Sequence, residues 1–283
     1  MAAASTCAFY TPSHLDTQRF WERELVRETP TIGIPFGLPK NISSSLAYTA
    51  RQKMIMYAGV SAHVCPQRGF VDVFGKGVFA HIVNVQAGKD DPKSTAPAFT
   101  NVPLSFHTDN CEIMAFFYLD TALSGGQTVL SSIWQTYNEL AVERPDLLHT
   151  LTQPWVLDTF KPPSLQPPRH VRPLQVVDSD KLPILFRFSR YPITGFQRDR
   201  NPDLPEPTAA QREAADCIQF RAAKNSITLP VVKGDILLVN DMALFHAREA
   251  FDDGNIPLKR HLVKMYFRDP EQGWEIPLSM EQE

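Results

Sequence analysis

The stretch Leu104-Ser105-Phe106-His107-Thr108-Asp109 opens with apolar and polar side chains alternating with the period of a β-strand. Residues two apart on a strand share a face. One imidazole and one carboxylate, His107 and Asp109, are therefore expected to point at the same spot. Strand patterns follow at once over residues 113–119 and 128–131. The tight turn Ser124-Gly125-Gly126-Gln127 joins them and delivers the hydroxyl of Thr128.

A histidine two residues before an acid also arises by accident. His14-Leu15-Asp16 is a second instance, where Asp16 closes a capping box with Ser13 at a helix start and needs no metal. The downstream sequence separates the two. Asn240-Asp241-Met242-Ala243-Leu244-Phe245-His246-Ala247-Arg248 follows an apolar strand pattern over 236–239 and places His246 139 residues after His107. Arg260 comes 14 residues later, in a strand pattern over 258–267 that puts Arg260, Leu262, Lys264 and Tyr266 on one face. Two imidazoles and one carboxylate form a facial triad that leaves positions open on Fe(II). A guanidinium fork suits a carboxylate ligand.

The wider chain reads as mainly β with flanking helices. Its 24 prolines against 13 glycines suit stiff loops rather than a helical bundle. Residues 1–65 read as a helix and loop extension, with a helix from the capping box to about Val26 and a loop holding Pro30, Pro35 and Pro39. Residues 47–60 fit helix or strand, and 69–85 fit a strand pair. The loop 86–104 is a candidate lid. A helix is expected over 134–151, broken at Pro145, and a strand over 184–189. A second capping box, Thr208-Ala209-Ala210-Gln211, opens a helix to about Ala223. Strands over 226–231, 236–239 and 244–247 follow. Many short strands with a helical insertion point to a β-sandwich or jelly roll, not alternating βαβ units. The chain 1–283 is read as a single catalytic domain. It comprises the 1–65 extension and a 66–283 core with a loop and helix insertion at about 160–225.

Composition narrows the function. Hydrophobic residues make 43% and charged residues 21%, enough for a sizeable core. Lys+Arg 28 against Asp+Glu 31 gives a net charge of −3, with no basic excess for nucleic acid. No apolar run approaches the ~20 residues that span a bilayer. Cys7, Cys65, Cys111 and Cys217 show no metal or redox spacing. The first residues lack a basic-then-apolar leader pattern. Four free thiols in a reducing compartment and a cytoplasmic location are expected, with no membrane partner.

His107-x-Asp109, Gly125-Gly126-Gln127-Thr128, His246 and Arg260 resemble the taurine dioxygenase/clavaminate synthase-like family. The matching order spans roughly residues 100–270, and the flavour is similar to fungal members associated with secondary metabolism. The resemblance implies a double-stranded β-helix (jelly-roll) core and an Fe(II)- and 2-oxoglutarate-dependent oxygenase, with O₂ as second cosubstrate. It implies that His107, Asp109 and His246 ligate iron, that Arg260 pairs with the distal carboxylate of 2-oxoglutarate, and that Thr128 donates to the cosubstrate. Asp109 also argues against halogenation, since halogenases resembling the family lack that carboxylate. Lys264 falls where taurine dioxygenase has an arginine for the substrate anion. Residues 102–105 depart from the taurine pattern, so taurine is not the expected substrate.

Substrate contacts are expected from Lys264, Cys111, Arg248, His81 and Asn84, each with a structural alternative: a solvated strand residue or core-edge snorkel for Lys264, core packing for Cys111, an acid partner for Arg248, core or surface packing for His81 and Asn84. His261 is expected outside the barrel, and Phe116, Phe117 and Tyr118 in the core. The substrate class expected is a small molecule, an amino-acid derivative or natural-product intermediate, oxidised at an unactivated C–H bond by hydroxylation, desaturation, cyclisation or rearrangement. Self-association stays open. The competing readings are a cosubstrate-free cupin-like metal enzyme and a non-catalytic jelly-roll metabolite binder.

Overall fold

The computed structural model describes residues 50–273 except 66, 70, 72–76, 86–95, 110, 160–168, 172–174, 177–183, 197–198, 256–258, 270 and 272. The expected N-terminal capping box and helix, the proline loop at 29–40, and much of the candidate lid lie outside the described residues.

Helix α1 (Ala50–Val64) comes first, resolving the helix-or-strand ambiguity of 47–60. Strands β1 (Gln67–Gly69), β2 (Ala80–Val83), β3 (Leu104–His107), β4 (Ile113–Asp120), β5 (Ser124–Gly125) and β6 (Thr128–Ser132) follow. Helices α2 (Ile133–Glu143) and α3 (Pro145–Leu151) break at Pro145 as expected, because proline cannot continue an α-helix but fits a first turn. Then come β7 (Trp155–Leu157), β8 (Arg169–Val171), β9 (Gln175–Val176), β10 (Leu185–Phe186) and the short α4 (Tyr191–Thr194). Helix α5 (Ala209–Lys224) opens on the reciprocal Thr208–Gln211 capping box. The chain closes with β11 (Ser226–Leu229), β12 (Ile236–Asn240), β13 (Leu244–Arg248), β14 (Phe251–Asp252) and β15 (His261–Arg268).

Two antiparallel sheets form the core. One has the order β1-β15-β4-β12, with β2 also on β15; the other has the order β11-β6-β13-β3. This is a jelly roll. Strand β4 is apolar at seven successive positions because both of its faces are covered. Met114 and Tyr118 face the interior shared with Leu130 and Ala247 of the second sheet. Ala115, Phe117 and Leu119 face outward, beneath Tyr57 of α1. Tyr57 stacks on Phe117 with ring centroids 5.3 Å apart and donates to the Ala115 carbonyl at 2.8 Å.

The free edge of β3 is closed by side chains of the insertion. Ser105 N–H donates to Tyr191 Oη at 3.2 Å, and Phe106 N–H donates to Gln219 Oε1 at 2.9 Å. Such cover satisfies the backbone of an edge strand and fixes the strand that ends in His107. The expected strand over 104–109 is shorter than its pattern. After His107 the chain leaves β13, Thr108 N–H turns to the Phe188 carbonyl at 2.8 Å, and Asp109 lies in the turn beyond. Arg260 likewise precedes β15 rather than lying on it, and the register slips between His261 and Leu262.

Candidate metal and anion site

His107 closes β3 and is registered directly opposite His246 of β13, with ring centroids 4.0 Å apart. One ligand atom from each of His107, Asp109 and His246 lies within 4.8 Å of the others. The site sits between the sheets, for Phe116 of β4 meets the His246 ring edge-on at 6.3 Å.

Each imidazole is oriented from behind. His107 Nδ1 lies 2.8 Å from the Ser105 carbonyl and His246 Nδ1 lies 3.1 Å from Asp241 Oδ1. The Ser105 contact favours a proton on His107 Nδ1 and leaves its Nε2 for a metal. Burial, with the neighbouring His246 next, lowers the His107 pKa to about 4, and burial lowers that of His246 to about 4. Burial works to raise the Asp109 carboxyl, but Lys264 and then the two imidazoles hold it well below the ordinary range. The resting set is thus two neutral nitrogens and one carboxylate, the protonation state a divalent metal requires. Its donor chemistry fits Fe(II).

Sequence reasoning missed two residues around this cluster. Asp241 is fully buried, with no hydrogen bond to its carboxylate among the described residues. Burial, then the Asp109 charge, raises its pKa well above the usual value. An acid between two apolar strands, five residues before His246, was the available signal. Arg187 donates through Nη1 to the Asp109 carbonyl at 2.6 Å and the Cys111 carbonyl at 3.3 Å, pinning the turn that carries Asp109. No spacing rule links Arg187 to that turn.

A second cluster lies along the same interior. Thr128 Oγ1 and Tyr118 Oη are 2.6 Å apart, both residues buried. Arg260, 4% exposed, donates through Nη2 to the Gly126 carbonyl at 3.2 Å. Its backbone N–H is held by Asp253 Oδ1 at 2.8 Å. Burial lowers the Arg260 pKa to about 10. The Phe251 ring carries Arg260 at 5.0 Å and Arg248 at 4.9 Å.

Other expected contacts need correction. Lys264 Nζ does not stand free for a substrate: it pairs with Asp109 Oδ2 at 2.8 Å and contacts Tyr266 Oη at 3.1 Å. Arg248 is turned to the Ala98 carbonyl at 3.2 Å, the Thr100 carbonyl at 2.8 Å and the Val102 carbonyl, so it clamps the loop before β3 and its partners are not acids. His81 is exposed on the outer face of β2, since Ala80 and Ile82 take the inner one. It lies 2.8 Å from His261, which is outside as expected. Asn84 follows β2 and is half-buried. Cys111 is buried near Asp241 and Asp109, and burial drives its thiol well above the usual pKa.

The sequence pattern of the "Taurine catabolism dioxygenase TauD, TfdA family" matches residues 49–266, from the start of α1 to nearly the end of β15. The chain belongs to the TauD/TfdA family. That family uses Fe(II), 2-oxoglutarate and O₂, and the two clusters lie within the matched span. Among TauD/TfdA relatives, the chain is 29% identical over 237 residues to the "Taurine hydroxylase-like protein SAT17" of Stachybotrys chartarum, covering 81% of this chain and 60% of that one. It is 26% identical over 200 residues to "FR-33289 synthase" of Streptomyces rubellomurinus, covering 68% and 57%. The chain therefore spans about three-fifths of the length of these relatives. The TauD/TfdA fold also aligns with an asparagine oxygenase solved with Fe(II), 3-hydroxyasparagine and succinate, at a TM-score of 0.51, 15% identity and coverage of 68% and 56%. The non-heme iron oxygenase OrfP with Fe and alpha-ketoglutaric acid aligns at a TM-score of 0.53, 14% identity and coverage of 76% and 64%. Among the described residues, no helix is long and apolar enough to cross a membrane.

Proposed function

We propose that this chain is a mononuclear Fe(II)- and 2-oxoglutarate-dependent oxygenase that oxidises an unactivated C–H bond of a small molecule. One observation carries the reading. A metal-competent His107–Asp109–His246 cluster shares one interior with a buried guanidinium, Arg260, whose side chain forms no ion pair among the described residues. A cosubstrate-free cupin-like enzyme or a plain metabolite binder has no use for that cation.

Iron, 2-oxoglutarate and O₂ together supply an oxidant able to attack an aliphatic C–H bond, leaving succinate and CO₂. The chain's own residues hold and orient. His107, Asp109 and His246 would present three ligands on one side and leave the other positions open. The Ser105 carbonyl fixes the His107 ring, and Asp241 lies behind the His246 ring. Arg260 and Thr128 would grip the distal carboxylate of 2-oxoglutarate. The covered interior keeps the reacting centre away from bulk water. Natural-product chemistry is the context suggested by the FR-33289 synthase relative, and amino-acid derivatives by the asparagine oxygenase neighbour. We also read the protein as one cytoplasmic catalytic unit without nucleic-acid or membrane partners.

The test is anaerobic addition of Fe(II) and then 2-oxoglutarate. A weak visible metal-to-ligand charge-transfer band is expected, and His246→Ala should abolish it. Iron bound without a band would sink the cosubstrate reading in favour of a cupin-like enzyme. No iron binding would favour the metabolite binder.

A further inference from the structure

Among the described residues, the buried cluster around Arg260 holds more hydrogen-bond donors than acceptors. Tyr118 Oη and Thr128 Oγ1 bond to each other at 2.6 Å. That contact uses one of their two hydroxyl protons, whichever oxygen donates. Among the described residues neither oxygen has a second partner, so one buried hydroxyl proton has no acceptor. Tyr118 is 1% exposed and Thr128 5%, so bulk water does not absorb the surplus.

Arg260 adds to the excess. Its guanidinium carries five N–H donors, and one side-chain hydrogen bond, to the Gly126 carbonyl, is present among the described residues. Asp253 accepts the Arg260 backbone N–H rather than the guanidinium. The Arg260 charge acts on Tyr118, so the two groups share one electrostatic environment. Unsatisfied buried donors are costly. A dry cluster of one cation and two hydroxyls is therefore built for an acceptor that arrives from outside. A carboxylate, with acceptor sites only and a negative charge, balances it.

Resting on the proposed 2-oxoglutarate chemistry, we infer that Tyr118 is a cosubstrate-binding residue whose phenol, hydrogen-bonded to Thr128, completes with Arg260 the cradle for the distal carboxylate of 2-oxoglutarate. The sequence pattern assigns Tyr118 to the core, because it stands in the apolar run of β4. Its ring does pack there, and its hydroxyl is the part that serves the site. Tyrosine in this place also discriminates: a 2-oxo acid without a second carboxylate leaves the donors unsatisfied.

The test uses Tyr118→Phe in the full chain, loaded anaerobically with Fe(II) and titrated with 2-oxoglutarate through the charge-transfer band. Pyruvate, which lacks the distal carboxylate, is the control ligand. The Kd for 2-oxoglutarate should rise about tenfold, as for loss of one charge-assisted hydrogen bond. Iron content and the Kd for pyruvate should stay within twofold. A 2-oxoglutarate Kd within twofold of the parent overturns the inference, as does an equal rise for both ligands. Failure of the parent protein itself to bind 2-oxoglutarate overturns the proposed function instead. A measurement on the unmutated, zinc-loaded protein guards against a misfolded variant. Addition of 2-oxoglutarate should red-shift the near-ultraviolet tyrosine band and pyruvate should not, and an unshifted band with 2-oxoglutarate bound counts against Tyr118.

Discussion

His107 and His246 face each other across the β3–β13 ladder as a registered pair, with ring centroids 4.0 Å apart. One backbone register therefore sets both nitrogen ligands at once. A one-residue slip of β3 would turn His107 to the opposite face while β6 keeps His246 in place. The edge cover that Tyr191 and Gln219 give β3 protects this register. The metal geometry depends in that way on the insertion, although the insertion contributes no ligand among its described residues.

Asp241→Asn should have opposite effects on metal binding and on stability. Its Oδ1 lies 3.1 Å from His246 Nδ1, on the side of the ring away from Nε2, and braces the ring from behind. Loss of such outer support typically weakens metal binding about 10- to 100-fold. The same carboxylate is fully buried, and burial drives its pKa upward. A raised folded-state pKa costs stability once pH exceeds the unfolded value. The metal-free variant should therefore melt higher than the parent at pH 7 while binding Co(II) or Fe(II) less tightly. Parallel thermal melts and metal titrations check both, and unchanged metal affinity would exclude the orienting role.

Lys264→Met should destabilise the metal-free protein far more than the metal-loaded one. Lys264 Nζ pairs with Asp109 Oδ2 at 2.8 Å, and the two side chains are 14% and 16% exposed. Removing one partner of a buried pair costs about 3–5 kcal/mol. A bound dication would neutralise Asp109 and take over that part of the work. Urea unfolding with and without Zn(II) should show the penalty shrinking with metal. An equal penalty in both states would mean that Lys264 matters for packing alone.

Acid should unfold the metal-free protein early. The folded-state pKa values of His107 and His246 fall from 6.5 to about 4. A histidine depressed in this way binds fewer protons folded than unfolded, so its contribution is present above about pH 6.5 and is lost as pH falls toward 4. Asp109, also depressed, extends the loss to lower pH. The melting temperature should therefore drop steeply between pH 6.5 and 4. His246→Gln should flatten the slope, and an unchanged slope would contradict the burial of the pair.

The sheet series was legible because most core strands keep simple patterns, and the second helix start because Thr208 and Gln211 form their capping box locally. The triad was legible because its spacing survives the early end of β3: Asp109 reaches the site from a turn, not from the strand face that suggested it. The rest depended on contacts between distant parts of the chain. His81 has the residue type of a ligand, but the parity of β2, set by its pairing with β15, places it outside. Arg248 meets three loop carbonyls that no spacing relates to it. Tyr118 and Asp241 were hidden in apolar surroundings, where a polar atom becomes informative only once its neighbours are known.

Gly126→Ala should weaken 2-oxoglutarate without touching the metal. Gly126 adopts φ 74°, in the left-handed region, where a side chain is strained. A Cβ there would lie 2.9 Å from Arg260 Nε and 3.1 Å from Phe251 Cβ. The guanidinium must shift, and the Gly126 carbonyl that accepts from Arg260 Nη2 shifts with it. A displaced fork loses the alignment on which charge-assisted pairing with a carboxylate depends. The Kd for 2-oxoglutarate should rise at least about tenfold, equivalent to ~1.4 kcal/mol, while the His107–Asp109–His246 cluster keeps its Fe(II) affinity. Anaerobic titration of each component separates the two effects. Equal loss of iron and 2-oxoglutarate would mean that the turn supports the whole barrel and not the anion pocket in particular.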